Sequence, residues 1–128
     1  MPTVQPPPEP LPGLSPEPPP DDLSPDVLQQ TAATFGLLSG TVRLHLVWLL
    51  ASGERDVGTL AEAVGQSVAT VSHHLGKLKL AGLVRSRREG KRQVYLVDDP
   101  HVVQIVHRAV EHHSELAETP RRYRSRGA

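Results

Sequence analysis

A mainly α fold with a small β-hairpin is what this sequence predicts, and three observations predict it. Apolar residues recur at helical spacing in separate segments between Ser24 and Glu118, two strand-like runs flank Glu89-Gly90, and Gly or Pro marks most of the junctions. The chain has 128 residues, long enough for one modest domain and too short for two well-buried cores.

Eleven of the thirteen prolines fall in residues 1–25, and residues 1–26 hold five acids with no Lys or Arg. Such a segment cannot bury enough apolar surface to offset its ordering entropy, so residues 1–23 are expected to form a disordered, solvated tail. Ser24-Pro25 pairs an N-cap residue with proline at the first helical position. Val27, Leu28, Thr31 and Phe35 keep helical spacing until Gly36, where the helix should end or loosen. A second helix, Gly40 to Ala51, is apolar on most sides through Val42, Leu44, Leu46, Val47, Leu49 and Leu50, which marks it as the central core helix. Ser52-Gly53 suits a C-cap, and Glu54-Arg55-Asp56 reads as a polar connection.

A short amphipathic helix, Val57 to Val64, is expected to turn Leu60, Ala63 and Val64 inward and Glu62 outward. Gly65 turns the chain, and Ser67 caps a fourth helix reaching Ala81, whose Val68, Val71, Leu75 and Leu78 define one buried face before Gly82 stops it. Leu83 to Val97 reads as a hairpin with a charged tip, joined through Glu89-Gly90. The last helix starts from the acidic cap Asp98-Asp99 with Pro100 at its first position and runs to about Glu118. Its apolar positions Val102, Val103, Ile105, Val106, Ala109, Val110 and Leu116 exceed one modest stripe, which pairing with a second helix would explain. Residues 119–128, with Arg121, Arg122, Arg124 and Arg126, are expected to form a mobile basic tail.

Composition removes several functions. Cysteine is absent, so disulfides, thiolate metal sites and a cysteine nucleophile are excluded. No apolar run approaches the ~20 residues of a membrane span, and no signal sequence opens the chain, so a soluble cytoplasmic protein is expected. Only four aromatic residues (Phe35, Trp48, Tyr95, Tyr123) are available for stacking on single-stranded bases. Formal net charge is zero, yet residues 77–92 carry Lys77, Lys79, Arg85, Arg87, Arg88, Lys91 and Arg92 against the single acid Glu89. A local basic surface of this kind is what a DNA reader needs.

A short helix, a glycine turn, a second helix and a basic hairpin together describe a winged helix-turn-helix, in which the second helix enters the major groove. Burying Val68, Val71, Leu75 and Leu78 leaves Ala69, Thr70, His73 and Lys77 facing outward, with Gln66 and Ser67 at the helix start. Small hydroxyl and amide side chains allow close approach to base edges, while Lys77 and the wing's Arg87, Arg88, Lys91 and Arg92 would neutralise phosphates of double-stranded operator DNA.

The stretch Thr59 to Leu78, with its Val71-Ser72-His73-His74-Leu75 centre, and the exit Ala81-Gly82-Leu83-Val84 resemble the ArsR/SmtB family of metalloregulatory repressors. The resemblance covers about residues 24–118. It implies a homodimer with its first and last helices at the interface, repressing an operon that handles the sensed metal. The family's thiolate site on the helix before the recognition helix cannot exist here, because Val57 to Ala63 holds no Cys.

On the last helix, Asp99 and His101 are followed by His112 and Glu115. Eleven residues separate the two histidines, close to three helical turns, so one side of the helix carries both. Their separation along the axis is roughly 16 Å, whereas a metal ligand lies about 2 Å from its ion, so one chain cannot close the site. Two such helices packed antiparallel across a two-fold axis would form two equivalent sites, each taking Asp99 and His101 from one protomer and His112 and Glu115 from the other. Two imidazoles and two carboxylates suit Zn2+, with Co2+ or Ni2+ as alternatives. The pattern also resembles the family's zinc-sensing site on its last helix. The family's nickel and cobalt sensors recruit further ligands near the N-terminus, and residues 1–44 contain no His. His107 and His113 lie off the ligand face and are read as surface residues or outer hydrogen-bond partners.

The expected mechanism is a metal-free dimer bound to a palindromic operator and released when metal joins the last helices. Rival readings stand beside it. A winged-helix regulator of a non-metal signal keeps DNA binding without the metal site. A zinc hydrolase built on His112, His113 and Glu115 has neither an HExxH arrangement nor a nucleophile to support it. An adaptor acting through the proline-rich segment would lose function with residues 1–23.

Overall fold

The computed structural model describes residues 21–118. The expectations for the two tails therefore lie outside the described residues, apart from residues 21–23, which are exposed. The order of elements is α1 (Pro25–Leu38), α2 (Thr41–Ala51), β1 (Arg55–Asp56), α3 (Val57–Val64), α4 (Val68–Leu80), β2 (Arg85–Glu89), β3 (Arg92–Leu96) and α5 (Pro100–Glu118).

The core forms around α2, as its all-round apolar character requires. Leu46, Val47 and Leu50 are buried together with Leu60 and Ala61 of α3, Val71, Leu75 and Leu78 of α4, Leu83 and Val84, and Val102 and Val106 of α5. At roughly 1.5–3 kcal/mol for each fully buried aliphatic side chain, this cluster is the main stabilising term. Among the described residues no single helix is long and apolar enough to cross a membrane.

The structure corrects five local expectations. First, α1 continues through Gly36 to Leu38. A helical glycine costs about 1 kcal/mol, and the burial of Leu38 with the packing of Leu37 against the core outweighs it. The start at Pro25 is as expected, but the Ser24 side chain makes no capping bond.

Second, Ala61 and not Ala63 faces the core, because the inward stripe of α3 is Val57, Leu60, Ala61 and Val64 at i, i+3, i+4 and i+7. Third, Val68 is 51% exposed. It is the first residue of α4, and helical side chains lean toward the N-terminus, which carries this one off the end of the core. Fourth, Arg55 and Asp56 form a short strand instead of a free connection, pairing with Tyr95 and Val94 of β3 in an antiparallel sheet of order β1-β3-β2. Fifth, the hairpin loop is Gly90-Lys91, since Glu89 still pairs with Arg92. Gly90 has φ +64°, a left-handed value that favours glycine at the first position of a two-residue loop.

The helix-turn-helix forms as its sequence requires. Gly65 ends α3 in the left-handed conformation at φ +69°, and the Ser67 hydroxyl accepts the Thr70 backbone N–H at 3.1 Å to cap α4.

Candidate functional site

The surface expected to face DNA is built on α4, whose buried row of Val71, Leu75 and Leu78 turns the opposite side to solvent. Gln66, Ser67, Ala69, His73 and Lys77 are exposed and Thr70 is half-buried. Ser67 and Thr70 are engaged with each other: beyond the cap, the Ser67 hydroxyl donates to Thr70 Oγ1 at 2.9 Å. Their first task is to start the helix, and the side chains without such a local bond are Gln66, His73 and Lys77.

The wing is more constrained than its charge run suggests. Arg87 donates to Glu54 at 2.6 Å and to Glu89 at 3.1 Å. These bonds raise the Arg87 pKa and lower that of Glu54. Arg92 donates through Nε to Asp56 Oδ2 at 2.9 Å, while the other oxygen of the same carboxylate accepts the Thr59 backbone N–H at 2.8 Å and caps α3. The Thr59 bonds, with Arg92 adding to them, lower the Asp56 pKa to about 2. Arg88 and Lys91 form no ion pair among the described residues. Of the four wing cations expected to meet phosphates, two are therefore held by carboxylates and two are not.

Sequence reasoning misses three residues of this surface. Glu54 and Asp56 read as loop acids because their arginine partners lie 33 and 36 residues away. Lys79 reads only as charge, and its ammonium donates to Ser86 at 2.7 Å, joining α4 to β2.

The candidate metal ligands lie along α5. Asp99 caps the helix by accepting the His101 backbone N–H at 2.8 Å, and its Oδ1 also lies 3.1 Å from His101 Nδ1. The backbone bond is the main reason its carboxyl pKa falls below the ordinary value, so it is anionic at neutral pH. The structure thus brings Asp99 and His101 together at one end and leaves His101 Nε2 outside that contact. His112 stands near the other end with its ring centroid 4.9 Å from that of His113. Glu115 follows one turn later, and residues 111–118 are all exposed. Among the described residues no three His, Asp or Glu side chains of one chain converge as ligands of an ion. His107, off the ligand face, lies against Trp48 of α2 with ring centroids 4.8 Å apart.

Comparison with known proteins gives this surface its setting. The sequence profile of the bacterial regulatory proteins of the arsR family matches residues 40–86, from the start of α2 into the wing. The HTH-type transcriptional regulator KmtR of Mycobacterium tuberculosis is 41% identical over 91 residues, covering 71% of this chain and 70% of that protein. A cadmium resistance transcriptional regulatory protein, a CadC homolog of Staphylococcus aureus, is 38% identical over 97 residues, covering 75% of this chain and 80% of that protein. The homodimeric winged helix-turn-helix DNA-binding domain Mb0332 of Mycobacterium bovis superposes with a TM-score of 0.67 at 35% identity, covering 75% of this chain and 89% of that one. The chain belongs to the arsR family of bacterial regulatory proteins, and is a winged-helix transcriptional regulator and not an enzyme.

Proposed function

We propose that this chain is a metal-responsive repressor that binds operator DNA as a homodimer and is released when a metal ion, zinc in the first place, joins the α5 helices of its two protomers. One observation carries it: Asp99 and His101 occupy the start of α5, and His112 and Glu115 recur three turns later on its exposed half. Two copies running antiparallel would complete each donor set from both chains. The apolar face of α1, with Val27 51%, Leu28 56% and Phe35 54% exposed, supports association with a second copy.

The donor chemistry supports the choice of metal. One relative is named for cadmium resistance, and cadmium is a soft ion that thiolates favour. This chain has no Cys, so its own nitrogen and oxygen donors suit zinc, with cobalt and nickel next. Bound there, the ion supplies a charge-neutralising crosslink between helices. Asp99, already anionic, needs no deprotonation to serve as a ligand. In DNA binding, Gln66, Ala69 and His73 present the groove-facing surface, Ser67 and Thr70 fix the helix start, and Lys77, Arg88 and Lys91 meet phosphates while Arg87 and Arg92 support them.

The test combines calorimetric zinc titration with operator binding for the wild type and His101→Ala. The expected result is one zinc per protomer, weakening of DNA binding by about 5- to 150-fold, and loss of both in the variant. Unchanged operator affinity at saturating zinc would refute the switch and leave the DNA-binding assignment standing.

A further inference from the structure

The last carbonyls of a helix have no partner within it. At the end of α1 one of them is met from the next helix: Arg43 Nε donates to the Leu37 carbonyl at 2.7 Å. The guanidinium lies over Gly40, where a Cβ would stand 2.7 Å from one of its nitrogens and 2.8 Å from Cζ. A methyl group at that position would push the guanidinium aside. The opposite edge of the same group reaches α4, with NH1 3.4 Å from Nδ1 of half-buried His74. Arg43 therefore touches the end of α1, the α1–α2 turn and the recognition helix at once.

A guanidinium only donates, so the contact needs Nδ1 of His74 as an acceptor, which means a neutral imidazole with its proton on Nε2. The surroundings favour that form. Desolvation is the largest influence lowering the His74 pKa, followed by the charges facing it, which are Arg43 of α2 and His73 and Lys77 of α4. Protonation would set a second cation against Arg43 and remove the acceptor.

We propose that Arg43 is a positioning residue for DNA recognition, clamping α4 to the end of α1 through a neutral His74. The proposal rests on the assignment of α4 as the helix that enters the groove. α1 carries the exposed apolar face proposed to meet the second copy, so the clamp refers the recognition helix to the dimer frame. Opening it lets α4 move relative to that frame without unfolding the core, whose buried row on α4 is separate from His74.

The experiment compares full-length wild type, His74→Gln and Arg43→Met on a duplex recovered by in vitro selection with the wild type, in chelator, between about pH 7.5 and 5.5. Glutamine keeps an acceptor for Arg43 and does not titrate. Across this interval the wild type is expected to lose several-fold more affinity than His74→Gln, short of the roughly tenfold that an imidazole of ordinary pKa would give at pH 5.5, because the His74 pKa is lowered by its surroundings. Arg43→Met is expected to bind weakly at both ends of the range. His73 is present in all three proteins and drops out of the comparison. A measurement that needs no DNA is NMR titration of the His74 ring, whose pKa should move up toward the ordinary imidazole value in Arg43→Met. Identical pH profiles for the wild type and His74→Gln, or a His74 titration unaffected by Arg43→Met, overturn the clamp. If the wild type selects no duplex, the DNA-binding assignment fails on its own, and the NMR titration still decides the clamp. If Arg43→Met does not fold, the comparison of wild type with His74→Gln decides it.

Discussion

Asp56 performs two tasks with two oxygens, capping α3 through Oδ1 and holding Arg92 through Oδ2. Because its folded pKa falls to about 2, the stability it contributes is complete above the ordinary aspartate pKa of 3.8 and is lost as pH falls through about 2. Asp56→Asn keeps an N-cap acceptor and loses the charge. Its melting temperature should lie below that of the wild type at pH 5, and the gap should narrow toward pH 2, as followed by circular dichroism. A gap that stays constant with pH would show that the cap alone matters. The same residue marks the limit of what local sequence discloses. Ser67 is legible as a cap because its partner Thr70 lies three residues away, whereas Arg92 and Asp56 are 36 residues apart and Arg43 and His74 are 31 apart. Long-range pairs of polar side chains leave no period in a sequence.

At the scale of elements, helices with strong periodicity are legible and short non-local strands are not. β1 has two residues and exists only because β3 passes beside it, so nothing within Arg55-Asp56 announces a strand. The wing hairpin is legible from its two runs about a glycine, but its charge run does not translate into equal phosphate contacts. Arg87 and Arg92 are engaged by Glu54, Glu89 and Asp56, whereas Arg88 and Lys91 are not. Surface pairs of this kind are worth little in stability, yet they compete directly with phosphate for the same guanidinium. The salt dependence of operator affinity should register the difference. Lys91→Ala or Arg88→Ala is expected to reduce the slope of log K against log salt by about 0.9 for each phosphate that is no longer neutralised. Arg87→Ala and Arg92→Ala should reduce it by less. Equal slopes for all four variants would mean that the carboxylates release their arginines on DNA and that the pairs seen in the free protein have no bearing on the interface.

The whole molecule is where sequence alone is least sufficient, because the proposed metal site is not a property of one chain. The four candidate ligands are legible as a period on α5, and the structure brings Asp99 and His101 together while the helix axis keeps His112 and Glu115 about three turns away. A shared site makes a prediction that a site within one chain does not. Consider a protomer carrying Asp99→Ala and His101→Ala, and a second carrying His112→Ala and Glu115→Ala. Neither homodimer retains a complete donor set. In a mixed dimer, however, the intact Asp99 and His101 of the second protomer meet the intact His112 and Glu115 of the first, so one of the two sites is restored. Unfolding and refolding the two proteins together at equal concentration yields mixed dimers in about half of the population by random assortment. Calorimetric titration should then find no high-affinity zinc in either protein alone and about one zinc per mixed dimer after refolding together. Recovery of tight binding only on mixing requires ligands from two chains. Mixtures that bind no better than their parents would show that α5 does not share its metal in this way, and the switch would have to be sought elsewhere on the molecule.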